Sequence, residues 1–325
     1  MKLRVAVVYG GRTGEHEISV RSAQAIIRSL APEKYAVLEF FVSKEGKWSP
    51  APLRPEPGAH PDIDVVFPVL HGTFGEDGTM QGLLELADLP YIGAGVLGSA
   101  VAMDKDLMKR VCQADGLPVV EYVTLLRDQL NVEIVEEQLA YPVFVKPANL
   151  GSSVGISKAR DRAELEAALH MAAQYDRKII VERAIAGREI ECAVLGNDQP
   201  EASIPCEILP SREFYDYEDK YLLDKAATKV PADLNTEETQ EIRRLAVACF
   251  QVTDCAGMAR VDFFLEAGTG KIYINEINTI PGFTSISMYP KMWEHCGLPF
   301  AKLVDRLIEL ALERHRARKA TRFTR

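Results

Sequence analysis

The stretch ARVDFFLEAGTGKIYINEINT, residues 259–279, admits few conformations, because two apolar-rich runs flank a turn that holds two glycines. The pattern predicts a β-hairpin. Side chains alternate across a strand, so Arg260, Asp262 and Phe264 share one face while Val261, Phe263 and Leu265 share the other. On the return run Ile274, Glu276 and Asn278 are grouped in the same way. A three-residue loop over Gly268–Gly270 sets Asp262 opposite Glu276 and Arg260 opposite Asn278, whereas a two-residue loop would put these groups on opposite faces. Like charges facing each other across strands are destabilising, so the acid pair calls for a cation, and Arg260 stands beside it. The hairpin alone leaves two readings. The oxygen-bearing set is a magnesium site, since Mg2+ takes carboxylate and amide oxygens and shares its shell with substrate phosphates, or it is a polar, solvent-facing patch on a half-buried sheet.

Composition narrows the surroundings of that hairpin. A chain of 325 residues, 47% of them hydrophobic, can build two or three domains with a large core. Its net charge of -9 argues against a nucleic-acid partner, whose phosphates call for a basic footprint. The six cysteines (112, 192, 206, 249, 255 and 296) form no C-x-x-C pair and no zinc spacing, and read as reduced thiols of a cytoplasmic protein. The apolar run VAVVY ends after five residues at Gly10-Gly11, so neither a signal peptide nor a membrane span is expected.

The chain begins as strand, glycine turn GGRTG and helix (about Glu15 to Leu30), an α/β opening. Further strands are expected at YAVLEFFV and VVFPVL, with the Pro-rich segment between them as a surface excursion. Residues 1–102 are accordingly assigned to a parallel-sheet domain. Residues 103–183 form an α+β unit, with a helix ending at Gly116, strands through YPVFVKPA and KIIVER, and a helix from Arg162 to Tyr175. Residues 184–325 carry the hairpin, a helix from Thr236 to Gln251 and a terminal helix from Pro299 to Arg314. The basic tail HRARKATRFTR is read as a solvated end.

FVKPANLGSSVGI puts Lys146 at a strand end, followed by Gly151, Ser152, Ser153 and Gly155. Glycines let backbone N–H groups approach a ligand, hydroxyls add donors and lysine adds charge, so the loop can cradle phosphates, although most Gly/Ser loops are simply turns. It is not the G-x-x-x-x-G-K-[ST] pattern. Together with the acid hairpin it suggests a nucleotide triphosphate, and Lys105 in AMDKDLM is a second candidate cation.

Seven segments in order, VYGGRTGEHEIS, HGTFGEDG, MDK, FVKPANLGSSVGI, FYDYEDKY, ARVDFFL and NEINTIPGFTSIS, resemble those of D-alanine:D-alanine ligases, members of the ATP-grasp superfamily. The resemblance spans nearly the whole chain. It implies a three-domain ATP-grasp architecture with an N-terminal parallel-sheet domain, and the ATP-driven joining of two D-alanines for peptidoglycan. It further implies a cytoplasmic homodimer, with no nucleic-acid or membrane partner. Residue by residue it places two Mg2+ or Mn2+ ions on Asp262, Glu276 and Asn278, and the ATP phosphates on Lys105 and Lys146 under a flap that runs from Gly151 through Ser152 and Ser153 to Gly155. Val181 to Ile185, with Glu182, would meet adenine and Glu189 the ribose. Arg260 and the Gly282 N–H would bind the transferring phosphate and the oxyanion. Glu15, Ser152 and Tyr221 would form a hydrogen-bonded set near the substrates, with His71 beside them. Ser287 and Met288 would receive the second carboxylate. SREFYDYEDKYLLDKAATK, with Lys220 and Tyr221, would be a lid that keeps water from an acyl phosphate. A ligase using D-lactate or D-serine as second substrate is the nearest alternative. A dinucleotide-binding oxidoreductase lacks support, since glycines 10, 11 and 14 do not form G-x-G-x-x-G. A nucleotide-binding module without chemistry would have no need of the competent residues at every matched position.

Overall fold

A computed structural model describes residues 2–151, 154–209, 227–284 and 286–322. The chain opens with β1 (Leu3–Gly10), α1 (His16–Ser29), β2 (Tyr35–Val42), β3 (Trp48–Ser49) and β4 (Val65–Val69), then α2 (Thr79–Leu86) and α3 (Val96–Met103). The sheet order is β3-β2-β1-β4, with β1 parallel to both β2 and β4. Val5 and Val7 enter one core while Ala6 and Val8 enter another. Burial on both faces explains why β1 reads as an unbroken apolar run rather than an alternating one. The Pro-rich excursion is largely exposed, although Leu53 is tucked into the second of these cores.

The middle of the chain holds α4 (Lys105–Ala114), β5 (Tyr122–Leu126), α5 (Val132–Gln138), β6 (Val143–Pro147), β7 (Ser157–Ala159), α6 (Arg162–Ala172) and β8 (Lys178–Arg183). The antiparallel sheet β5-β8-β6-β7 packs one face on α5 and α6 through Val143, Val145, Val181, Leu165 and Leu169. Its other face is left for the charged side chains described below.

The last part comprises β9 (Gly187–Gly196), β10 (Glu201–Ala202), β11 (Cys206–Leu209), β12 (Ala227–Lys229), α7 (Thr236–Val252), β13 (Gly257–Glu266), β14 (Ile272–Asn278), α8 (Met288–His295) and α9 (Phe300–Lys319). The order β12-β11-β9-β13-β14 is antiparallel throughout, with β10 on β9. α7 starts on a reciprocal cap, in which the Asn235 side chain accepts the Glu238 N–H and the Glu238 side chain accepts the Asn235 N–H. α7 and α4 pack on the same face of this sheet: Met108 and Cys112 share a core with Ile242, Leu245, Cys249, Val261 and Phe263. No helix among the described residues is long and apolar enough to cross a membrane.

The hairpin pairs as expected, with Arg260 opposite Asn278 and Asp262 opposite Glu276. The loop is different. Glu266 N–H bonds to Lys271 C=O, so four residues, Ala267–Gly270, make the turn, and near it Phe263 faces Ile274. An even turn alone would have thrown the acids to opposite faces. The register shifts by one between Asp262 and Phe263, where Asn275 is the extra residue of a bulge; this restores the facing acids but turns Ile274 to the apolar Val261 and Phe263 face, not to the face of Glu276 as simple alternation predicts.

The terminal helix is longer than its apolar pattern suggests, and the basic tail is helical as far as Lys319. His315 Nε2 lies 3.0 Å and Lys319 Nζ 2.6 Å from Asp88, and Arg318 meets Glu85, so acids of the first domain receive part of the tail. These partly exposed pairs add little stability. The apolar contacts behind them add more: Leu303, Val304, Leu307 and Ile308 join Val5, Val7, Ile26 and Phe67 in one core. Leu307 is 0% exposed, and Leu307→Ala is expected to cost roughly 2–5 kcal/mol by leaving a cavity there. Urea unfolding measures it; a loss under about 1 kcal/mol would mean that α9 is not a structural part of the first domain.

Candidate active site

One face of the β9–β13–β14 ribbon changes character along its length. Met258 faces Leu195 inside an apolar core, while two and four residues on, Arg260 and Asp262 stand on the same face in a charged cluster. Asp262 is paired with Glu191 on one side and Glu276 on the other. Arg260 Nε and Nη2 donate to the two carboxylate oxygens of Asp262 at 2.7 and 2.6 Å, and Nε lies 3.3 Å from Glu191 Oε2. Asn278 Nδ2 also donates to Asp262, at 3.1 Å. Burial alone would push the Arg260 guanidinium pKa down, but Asp262 and Glu191 outweigh it and raise it, so the arginine remains charged.

α4 supplies the second cation. Its N-cap, Asp104, accepts the Leu107 N–H at 3.0 Å and fixes the helix start, so that Lys105 enters the site as the first helical residue. Lys105 Nζ donates to Leu150 C=O at 2.8 Å and lies 3.3 Å from Glu276 Oε2. One ammonium thus ties the helix, the segment before the glycine-serine loop and the acid hairpin together.

The segments that follow β1 and β4 close the opposite wall. Glu15 precedes α1, and a Cβ on Gly72 would come 2.7 Å from its Oε2; Gly72 also has φ +73°, so only glycine lets this loop pass so near the carboxylate. His71 is buried, and burial pushes its pKa down. Its Nδ1 donates to the Ile280 carbonyl at 2.9 Å, while Ser22 Oγ, 3.4 Å from Nε2, accepts the Phe283 N–H. Glu76 spans the same gap, accepting the Gly72 N–H at 2.6 Å and the Ile280 N–H at 2.9 Å. Burial first, and neighbouring Glu15 second, push its carboxyl up to about 8. Beyond it a Cβ on Gly282 would meet Ser287 Oγ at 2.8 Å, and Ser287 accepts the Thr284 N–H at 3.0 Å just before α8 begins at Met288.

These walls enclose one cleft. Glu15, His71, Gly282, Ser287 and Met288 line its first-domain and α8 side; Lys105, Gly151, Arg260, Glu276 and Asn278 line the other. Asp262, bonded to Arg260, does not itself line the cleft. Lys146, Glu182, Ile185 and Glu189 do not line this cleft and belong to the neighbouring β6–β8–β9 side. There Lys146 Nζ donates to Glu182 Oε2 at 2.6 Å and to Asn275 Oδ1, at the bulge, at 3.3 Å. Ser152, Ser153, Lys220, Tyr221 and most of the expected lid lie outside the described residues.

Three charged residues of this region escape a reading by motif. Glu191 is one alternation step from Glu189 in GREIEC, so period two alone could have placed it on the hairpin's face. Lys109 follows Lys105 by one helical turn, a spacing that puts both on one side of α4. Glu76 in HGTFGEDG carried no such signal, because its partners are backbone N–H groups more than two hundred residues apart in sequence.

Oxygen-bearing side chains of Asp262, Glu276 and Asn278 stand on one face of the hairpin, the ligand type a hard divalent cation prefers, although among the described residues no group of three or more His, Cys, Asp or Glu is gathered as a metal site would be.

Residues 111–309 match the family described as D-ala D-ala ligase C-terminus, and residues 4–61 and 54–94 match D-ala D-ala ligase N-terminus. A D-alanine–D-alanine ligase of Solibacter usitatus is 71% identical over the full length of both chains, and one of Caldicellulosiruptor bescii is 47% identical over 100% of this chain and 99% of its own. The structure of the D-alanine-D-alanine ligase from Coxiella burnetii superimposes with a TM-score of 0.88 at 40% identity, covering 98% of this chain and 96% of that one. The VanG D-Ala:D-Ser ligase from Enterococcus faecalis gives 0.86 at 36%, covering 96% and 100%. With both halves of the family pattern matched along one fold, the chain belongs to the D-alanine–D-alanine ligase family.

Proposed function

We propose that the chain joins two D-alanines into D-alanyl-D-alanine for peptidoglycan synthesis, converting ATP to ADP and phosphate. The observation that carries this reading is the single cleft in which Glu15 on one wall faces Lys105, Arg260, Glu276 and Asn278 on the other. A carboxylate that attacks a γ-phosphate meets like charge, and Arg260 and Lys105 stand where that charge gathers. In the first step a carboxylate oxygen of one D-alanine bonds to the γ-phosphorus as the bond to ADP breaks, leaving D-alanyl phosphate. In the second, the free amine of another D-alanine attacks the acyl carbon, the bond to phosphate breaks as the amide forms, and the proton lost from the nitrogen leaves with the phosphate. Glu15 takes the ammonium of the first substrate, with His71 beside it, and Ser287 and Met288 receive the carboxylate of the second. Arg260 and the Gly282 N–H hold the oxyanion. Lys146, Gly151 and Ser153 hold the ATP phosphates, Glu182 and Ile185 the adenine and Glu189 the ribose. Ser152 and Tyr221 complete the hydrogen-bonded set with Glu15, and Lys220 belongs to the lid. Asp262, Glu276 and Asn278 would hold two Mg2+ or Mn2+ ions, which neutralise phosphate charge when bound. On this reading residues 1–102, 103–183 and 184–325 are the three domains of an ATP-grasp enzyme, and the working form is a cytoplasmic homodimer.

D-Serine or D-lactate as second substrate is not favoured, because the full-length relative at 71% identity is a D-alanine–D-alanine ligase. Phosphate release from ATP, measured with D-alanine, L-alanine, D-lactate, D-serine or no addition, each with and without Mg2+, should require both D-alanine and the metal. Release independent of D-alanine would overturn the assignment.

A further inference from the structure

Behind the cleft a single carboxylate is shared by two lysines. Glu182, 2% exposed, lies on β8 with Lys146 Nζ 2.6 Å from one oxygen and Lys109 Nζ 3.1 Å from the other. Lys109 is 0% exposed and reaches in from α4, with Tyr122 beneath its ammonium at 5.9 Å from the ring centre. Two lysines meet one carboxylate where water has almost no access. Burial would raise the Glu182 pKa, but Lys109 and Lys146 outweigh it and lower it to about 2, so the carboxylate is ionised at neutral pH. Burial lowers the Lys109 pKa, and Glu182 opposes that fall.

The two lysines are not equivalent. Lys146 stands at the end of β6, four residues before Leu150, whose carbonyl accepts from Lys105, and reaches across to Asn275 next to the acid hairpin. Lys109 is fully enclosed, on the other oxygen of the carboxylate, and does not line the cleft. We propose that Lys109 is a positioning residue for ATP: it remains as the counter-charge of Glu182 so that Lys146 can leave that carboxylate and turn to the phosphates. This inference rests on the reading of Lys146 as a phosphate ligand. Without Lys109, moving Lys146 away would strand a buried, unpaired carboxylate, which is far costlier than exchanging one partner of a shared one. Lys146 would then be held back as half of a closed ion pair.

The test is a double-mutant cycle on ADP binding, read by calorimetry with Mg2+ present, on the full chain. Wild type and Glu182→Gln are measured first; if the wild type binds no ADP, the functional reading fails and not the role of Lys109. Lys109→Met, which keeps length and removes charge, should weaken ADP at least about tenfold, since breaking a buried pair has a large effect. In the Glu182→Gln background the same change should alter ADP affinity less than about threefold, because a neutral amide no longer holds Lys146. If Lys109→Met alone does not fold, a folded double variant that binds ADP like Glu182→Gln supports the proposal equally. An equal loss in both backgrounds, no loss in either, or a double variant that cannot fold would overturn it, because Lys109 would then act through packing or not at all.

Discussion

Arg260→Lys is expected to lower turnover with saturating ATP and D-alanine by on the order of a hundredfold or more, the usual scale for removing a donor aimed at developing charge. Positive charge is retained, so the fold should survive: a lysine still offsets Asp262 and Glu191, whose carboxylates flank the position. What disappears is the planar fork. Arg260 uses Nε and Nη2 of a rigid, many-donor fork on Asp262, whereas an ammonium is one point charge that cannot serve the acid and an oxyanion in fixed directions. Steady-state kinetics with a parallel melting curve measure it. A loss below about tenfold, with unchanged melting temperature, would remove Arg260 from the chemistry.

The second large effect is expected from Glu276→Gln. This carboxylate lies 3.3 Å from Lys105 on the face it shares with Asp262 and Asn278. The amide keeps the shape and removes one negative charge from the oxygen set, so a divalent cation loses attraction while the apolar side of β14, with Ile274 and Ile277 in the core, is untouched. Turnover should fall by on the order of a hundredfold, and the Mg2+ concentration giving half-maximal rate should rise, since even indirect partners of metal ligands are worth 10–100-fold. The melting temperature should stay within a few degrees of wild type. An unchanged Mg2+ titration would show that Glu276 serves only to hold Lys105.

How far residues alone disclose such a site depends on whether their partners are near in sequence. Strand alternation placed Arg260, Asp262, Glu276 and Asn278 on one face, because period two is local. The loop length behind that expectation was wrong: the turn has four residues, and the facing acids depend on the bulge at Asn275, which no local composition signals. The strands and most helices of the first domain were legible from apolar runs and glycine turns, since both faces of its sheet are buried. The docking of the basic tail on Asp88 and Glu85 was not, because charged residues at a chain end look alike whether solvated or paired. Glu76 and Lys109 acquire meaning only from groups brought in by other elements, a backbone N–H at Ile280 in one case and Glu182 in the other.

The core that joins α9 to β1 and β4 also bears on how the protein is made. Residues 300–319 follow β1 at a long distance in sequence, yet Leu303, Val304, Leu307 and Ile308 cover the face carrying Val5, Val7 and Phe67. Domains generally fold in the order in which they leave the ribosome. Here the first sheet can pair its strands early but cannot seal that apolar face until α9 has been made, so these two distant parts of the chain mature together.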